Sequence, residues 1–194
     1  MKTLKRMLAV MLAVVMMMGL GVTSMARETT AYDSSVTVVY EVQKYPDSSK
    51  YQQSKLPTAA EWKKTYEFNK AENKTAKDAI EDTAKQLSPE AGAVTGTNKD
   101  GDTYIDSIFT LPTINNYGTD ENGKNTWEGY YWKIIVTGLD EDGNEVTFDS
   151  PVYANKIPLG VEHKFTDEYD TTTFPITCTV TKITMQYCYD SMSW

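Results

Sequence analysis

Val36, Val38, Tyr40 and Val42 alternate with Thr37, Val39 and Glu41, the period-two pattern of a strand with one buried face. Tyr45 to Pro57 then gathers Pro, Asp, Ser, Lys and Gln without periodicity and reads as an exposed loop or insertion. The following stretch is ambiguous. Thr58 and Glu61 could form a capping box, but Tyr66-Glu67-Phe68 alternates, which favours a strand from about Lys64. Thr75-Ala76-Lys77-Asp78 has the hydroxyl and acid of a capped helix start. From there Ala76, Ala79, Ile80, Thr83, Ala84 and Leu87 form one stripe, with Lys77, Glu81, Asp82 and Lys85 opposite, and Ser88-Pro89 ends the helix.

Strands dominate beyond the helix. Asp100-Gly101, Asn122-Gly123 and Asp142-Gly143 are hairpin signals preceding Tyr104–Phe109, Trp127–Thr137 and Glu145–Phe148. Tyr130, Trp132, Ile134 and Val136 interleave with Tyr131, Lys133, Ile135 and Thr137, so apolar bulk on both faces predicts a strand inside the sheet. Tyr153–Phe165 is less regular. The last strand shows Ile176, Cys178 and Val180, then changes phase to Ile183, Met185 and Tyr187, as a bulge near Thr181-Lys182 would produce. The helix stripe should pack on the sheet face bearing Trp132 and Ile134. The pattern predicts an α+β fold, a mixed sheet with one main packing helix.

The first 26 residues change the picture most. Lys2, Lys5 and Arg6 precede an apolar run from Met7 to Leu20, and Ser24-Met25-Ala26 has the small-x-small form of a signal-peptidase site. The expected product starts at Arg27, is secreted, and has no membrane span after cleavage, since the run is shorter than the roughly 20 residues a span needs. Losing Lys2, Lys5 and Arg6 takes the formal charge from −8 to −11 over 168 residues. That acidity argues against nucleic acid or an anionic bilayer as partner. Seven of the nine methionines leave with the signal, so methionine content implies no soft binding surface. The expected organisation is signal peptide 1–26, a short segment 27–35, a main domain 36–170 with an insertion near 45–62, and a C-terminal strand and tail 171–194.

Candidate chemistry is sparse. Cys178 and Cys188 are the only cysteines. If the residues between them are extended, their Cα atoms lie roughly 33 Å apart, so a Cys178–Cys188 disulfide would need an unseen bend. His163 is the only histidine, which excludes a multi-histidine metal site. It reads as a surface or loop residue. Asp140-Glu141-Asp142-Gly143-Asn144 has part of a calcium-loop pattern but lacks the distal glutamate, and a hairpin turn accounts for it. No nucleophile motif is present, so no catalytic residue is assigned; a secreted hydrolase is the third-ranked class. Trp127, at a strand entrance, and Tyr131, on the face opposite Trp132, are the candidate ligand-binding residues, because aromatic rings stack on flat ligands. Tyr187, Tyr189 and Trp194 could serve an interface or belong to a loose terminus.

Val36-Thr-Val-Val-Tyr40, Thr75-Ala-Lys-Asp-Ala-Ile80, Tyr104-Ile-Asp-Ser-Ile108 and Glu128-Gly-Tyr-Tyr-Trp-Lys-Ile-Ile-Val-Thr-Gly138 resemble the bacterial surface-domain family related to the C-terminal domain of transcobalamin and intrinsic factor. The resemblance spans about residues 36 to 170. It departs where Thr137-Gly138 replaces the family's Asn-Gly, and where Ile157-Pro158-Leu159-Gly160 replaces its Gly-Asp. It implies a β-grasp-like (ubiquitin-like) fold and a non-enzymatic binding or adhesion module, without cofactor, at or near a bacterial cell surface. The implied partner is a small ligand, a glycan or a surface protein. Cobalamin is the particular ligand the resemblance suggests, held with a partner chain because the vitamin carriers enclose it with a second, helical domain; under that implication His163 as axial ligand to the corrinoid cobalt is the sharper alternative to a surface or loop residue.

Overall fold

A computed structural model describes residues 32–45, 50–57 and 61–194. The expected signal peptide, its expected cleavage site and Thr58 lie outside the described residues.

The first strand, β1 (Ser34–Val42), buries Val36, Val38, Tyr40 and Val42 as its alternation requires. It is followed by a single helical turn, α1 (Lys50–Gln53), and by β2 (Glu61–Phe68), antiparallel to β1. The stretch expected as exposed loop is therefore partly structured. Leu56 is buried, the Tyr45 backbone N–H donates to Gln53 Oε1 (2.9 Å), and the Tyr45 hydroxyl donates to the Tyr189 carbonyl. The strand also begins three residues earlier than the pattern suggested, because Glu61, Trp62 and Lys63 extend the ladder on β1.

The main helix, α2 (Ala76–Leu87), starts where its capping signal stands. Asp78 Oδ2 accepts from both the backbone N–H and the hydroxyl of Thr75, each at 2.8 Å. Ala76, Ala79, Ile80, Thr83 and Ala84 are fully buried.

Beyond the helix the chain forms β3 (Ala93–Thr97), β4 (Thr103–Ile108) and a two-residue β5 (Leu111–Pro112), which make a separate small antiparallel sheet. Then come β6 (Ile114–Thr119), the long β7 (Asn125–Leu139), β8 (Glu145–Asp149), β9 (Glu162–Phe165) and β10 (Ile176–Ser193). The large sheet runs β2-β1-β10-β7-β6, with β8 also on β7 and β9 also on β10. β1 and β10 pair in parallel, and the other neighbours in this sheet are antiparallel. The architecture is α+β, a mixed sheet with one long helix. No described helix is long and apolar enough to cross a membrane.

The C-terminal strand expected within 171–194 is β10, and it runs to Ser193 inside the main domain. β10 lies between β1 and β7, and Tyr32–Trp194 is one compact unit. Tyr187 and Tyr189 belong to the core, which removes them as interface candidates. The expected phase change is a bulge at Thr181: Val180 pairs with Gly138 and Lys182 with Thr137, leaving Thr181 as the extra residue. Cys178 therefore points to the core face and Cys188 to the opposite one, and each is a free thiol.

Register aligns Tyr40, Met185 and Ile134 across β1, β10 and β7, with Val42, Tyr187 and Trp132 in the next core-facing row. Two elements cover this face. α2 lies over β1 and β2, where the Tyr40 hydroxyl donates to the Ile80 carbonyl (2.8 Å). The small sheet covers the β7 side, where Trp132 Nε1 donates to the Leu111 carbonyl (2.9 Å) and the Tyr187 hydroxyl to that of Pro112 (2.8 Å). Trp132 thus shares the face that the helix packs on, as expected, but its ring is roofed by β5. On the large sheet the helix packs against the β1–β2 side.

Three hairpin loops share one construction. In Asn98–Asp102, Asp120–Lys124 and Asp140–Asn144 the first residue's Oδ1 accepts from the backbone N–H of the third and fifth residues. The fourth is a glycine at φ +80°, a backbone conformation that favours glycine. Asp140 is thereby held below the usual carboxylate range, chiefly by the Asn144 N–H. Its acceptor oxygens serve the turn.

Candidate functional site

β7 alternates strictly, so Trp127 and Tyr131 both fall on the face opposite Trp132. They lie four residues apart, roughly 13 Å along the strand. Trp127 lies flat. Its six-membered ring covers Gly129, where an added Cβ would come within 2.3 Å of ring carbon Cζ2. Its Nε1 donates to Asn115 Oδ1 (3.0 Å) on β6, whose residue pairs with Gly129. Glycine thus provides the space for the ring, and the amide fixes its azimuth. Tyr117 and Met192 flank Trp127 across the ladder, 75% and 56% exposed.

Tyr131 is half-buried opposite Cys188. Burial, then the neighbouring Cys188 and Asp190, pushes its phenol up to about 12. Burial likewise pushes the Cys188 thiol up to about 12. Both groups are therefore protonated at neutral pH.

An edge defect adjoins this face. On its outer side β7 pairs with β6 up to Tyr130 and with β8 from Ile135, so no strand partners Tyr131–Ile134. Ile134 presents its carbonyl there, accepting from the Ser150 N–H (2.8 Å), and alternation aims the N–H and C=O of Trp132 the same way. Continuing β6 would place Pro112 opposite Trp132. Proline has no N–H, and its carbonyl accepts from Tyr187. Continuing β8 would place Val152 there, but its N–H goes to Ser150 Oγ (3.3 Å) and its carbonyl accepts from the same hydroxyl (2.8 Å). The result is a notch of about 550 Å³, one ladder rung wide. Ile105, Ile134 and Val152 supply apolar lining, and Tyr104 and Tyr153, both partly exposed, also border it.

Asn115 and Tyr131 line the notch as well. The two residues expected from sequence therefore belong to one continuous strip: Trp127 is pinned by Asn115 at its near end, and Tyr131 borders the cavity. Sequence reasoning missed Thr103–Ile105 and Ser150–Tyr153. The available signal was the pair Pro112 and Pro151, each standing where an edge strand stops pairing with β7.

His163 lies elsewhere. It pairs with Cys178, fourteen residues along β10 from Met192, the partner of Trp127, and its ring packs edge-on against Phe165 (4.7 Å). At strand spacing that is roughly 45 Å. His163 therefore does not share a site with Trp127 and Tyr131. Among the described residues no group of three or more His, Cys, Asp or Glu side chains is placed to hold a metal.

No protein-family model, no curated protein and no solved structure matches this chain.

Proposed function

We propose that this chain is a secreted or cell-surface, non-enzymatic binding module on a β-grasp-like frame. The frame is supported by the parallel β1–β10 pair inside the order β2-β1-β10-β7-β6, and by a single long helix that follows the first hairpin and crosses its face. The resemblance to the surface-domain family related to the transcobalamin C-terminal domain points the same way.

The observation that carries the reading is the continuous strip from the flat Trp127 indole through Asn115 to the notch beside Tyr131. A ring pinned over a glycine presents area without losing rotamer freedom on binding, and an adjoining cavity of this size falls in the range of ligand sites. Screening the purified protein against glycans, corrinoids, peptides and cell-wall fractions tests it. Binding that Trp127→Ala or Tyr131→Ala weakens by more than the variant's loss of stability accounts for is the expected result. Reproducible turnover of a glycan or peptide, or binding indifferent to both substitutions, refutes it.

A further inference from the structure

The notch is a missing rung in an otherwise continuous edge ladder. We infer that its occupant is an extended polypeptide segment, one residue of which completes the rung opposite Trp132. The inference rests on the binding-module reading and names the ligand class of the same strip.

The argument begins with the backbone. Trp132 aims one N–H and one C=O into the notch, at the spacing of an antiparallel pair, and both intrachain candidates are disqualified: Pro112 by its ring, Val152 by its bonds to Ser150. A peptide residue is the chemical group that returns a carbonyl to the one and an amide N–H to the other. Register then sets the side chain. A residue opposite Trp132 projects to the same face as Trp132, toward Ile105, Ile134 and Val152, so the segment needs an apolar residue there. Its neighbours on either side project to the opposite face, where Tyr131 and Lys133 stand. β6 and β8 occupy the edge above and below, so only a short stretch can lie in the rung before the chain turns away. An aromatic or proline farther along such a segment would reach the Trp127 ring.

The test uses capped tripeptides, acetyl-Thr-X-Thr-amide with X as Ala, Val, Leu or Phe, titrated into the 15N-labelled protein to about 5 mM. The expected result is a shift of the Trp132 amide resonance with slowed hydrogen exchange at that amide. The Val or Leu peptide should bind at least about tenfold tighter than its counterpart N-methylated at X, which lacks the donor. Val152→Trp, which fills the cavity from a loop, should abolish the shift while the far-side resonances of α2 stay in place. Should that variant unfold, the N-methyl comparison alone decides. Equal binding of the N-methylated peptide, or no Trp132 response to any of the four, overturns the inference. A glycan that shifts the Trp127 indole while peptides shift nothing would overturn it too, yet leave the binding-module reading standing. Loss of both responses would remove both.

Discussion

Trp127 and Trp132 sit five residues apart on one strand, and replacing each by alanine should separate binding from stability. Trp132 is 8% exposed, lies on the core face under β5, packs against Tyr187 in a tilted contact with ring centroids 5.0 Å apart, and donates its indole N–H to the Leu111 carbonyl. Truncation leaves a cavity under the small sheet and removes the donor for that carbonyl; large aromatic-to-alanine changes in cores cost about 3–5 kcal/mol. Trp132→Phe keeps much of the packing and loses the hydrogen bond, so about 1–2 kcal/mol is expected. Trp127 is half-buried on the opposite face, its ring on a glycine and its contacts across an edge strand whose residues are all exposed. Trp127→Ala should cost about 1 kcal/mol or less. Urea unfolding followed by circular dichroism, with unchanged m-values, measures all three, and total stabilities of about 5–15 kcal/mol leave room for the largest loss. In a domain of this size each kcal/mol moves Tm by about 2–4 °C. Equal losses at the two tryptophans, or a loss below about 1 kcal/mol for Trp132→Ala, would refute the assignment of the two faces.

Ile80→Asp should unfold the protein, because it places an unpaired carboxylate in the fully buried helix–sheet contact; an unchanged Tm would show that the stripe is not core. Stability should fall in alkali: Cys188, Tyr131 and Tyr187 are each raised to about 12, chiefly by burial, so their neutral forms stabilise the fold below their ordinary values near 9–10 and that contribution is lost as pH climbs toward 12. A flat Tm between pH 9 and 12 would contradict this. Neither thiol should react with a disulfide reagent at pH 8 until urea is added, because both are buried; rapid labelling of the native protein would refute it. N-terminal sequencing of exported protein should begin at Arg27, and a membrane-bound product starting at Met1 would refute the processing site.

Where a local rule has few competitors, the sequence was a sufficient guide. The β1 alternation, the Thr75–Asp78 cap, the three Asn/Asp-x-x-Gly turns and the Thr181 bulge each depend on contacts within a few residues or on a single phase change. β3 and β6 were not legible. β3 lies in a Gly- and Thr-rich stretch, and every residue of β6 is exposed, so neither strand writes an apolar face into its sequence. α1 escaped for a related reason: one turn is too short for a helical stripe, and its surroundings are organised by the distant Tyr45–Tyr189 contact. Trp127 is legible as a residue at a strand entrance and Tyr131, by alternation, as one on the face opposite Trp132, but what connects them was hidden. Asn115 and the Ser150–Tyr153 turn join the strip only through pairing between strands.

The same logic explains why a binding strip can exist on a sheet that is otherwise well paired. β7 needs its full length to support β10, which carries the core tyrosines, yet no neighbour spans that length on its outer side. β6 covers the beginning and β8 the end. A single neighbour of fifteen residues would close the edge but could not also supply Leu111 and Pro112 to roof Trp132 and Tyr187, since β6 must leave the edge at Thr113 to join β5. Covering the core face with the small sheet therefore opens the rung at Trp132. The proline that ends β6 pairing accepts the Tyr187 hydroxyl while withholding an N–H from the ladder, so one residue both secures the core and leaves the notch unfilled. Pro112→Ala should test that coupling. Restoring an N–H at this position offers Trp132 an intrachain partner, and if the edge zips up by one rung, the Trp132 amide should gain hydrogen-exchange protection while any ligand of the notch loses affinity. Increased protection without loss of binding would show that the rung is not where the ligand sits.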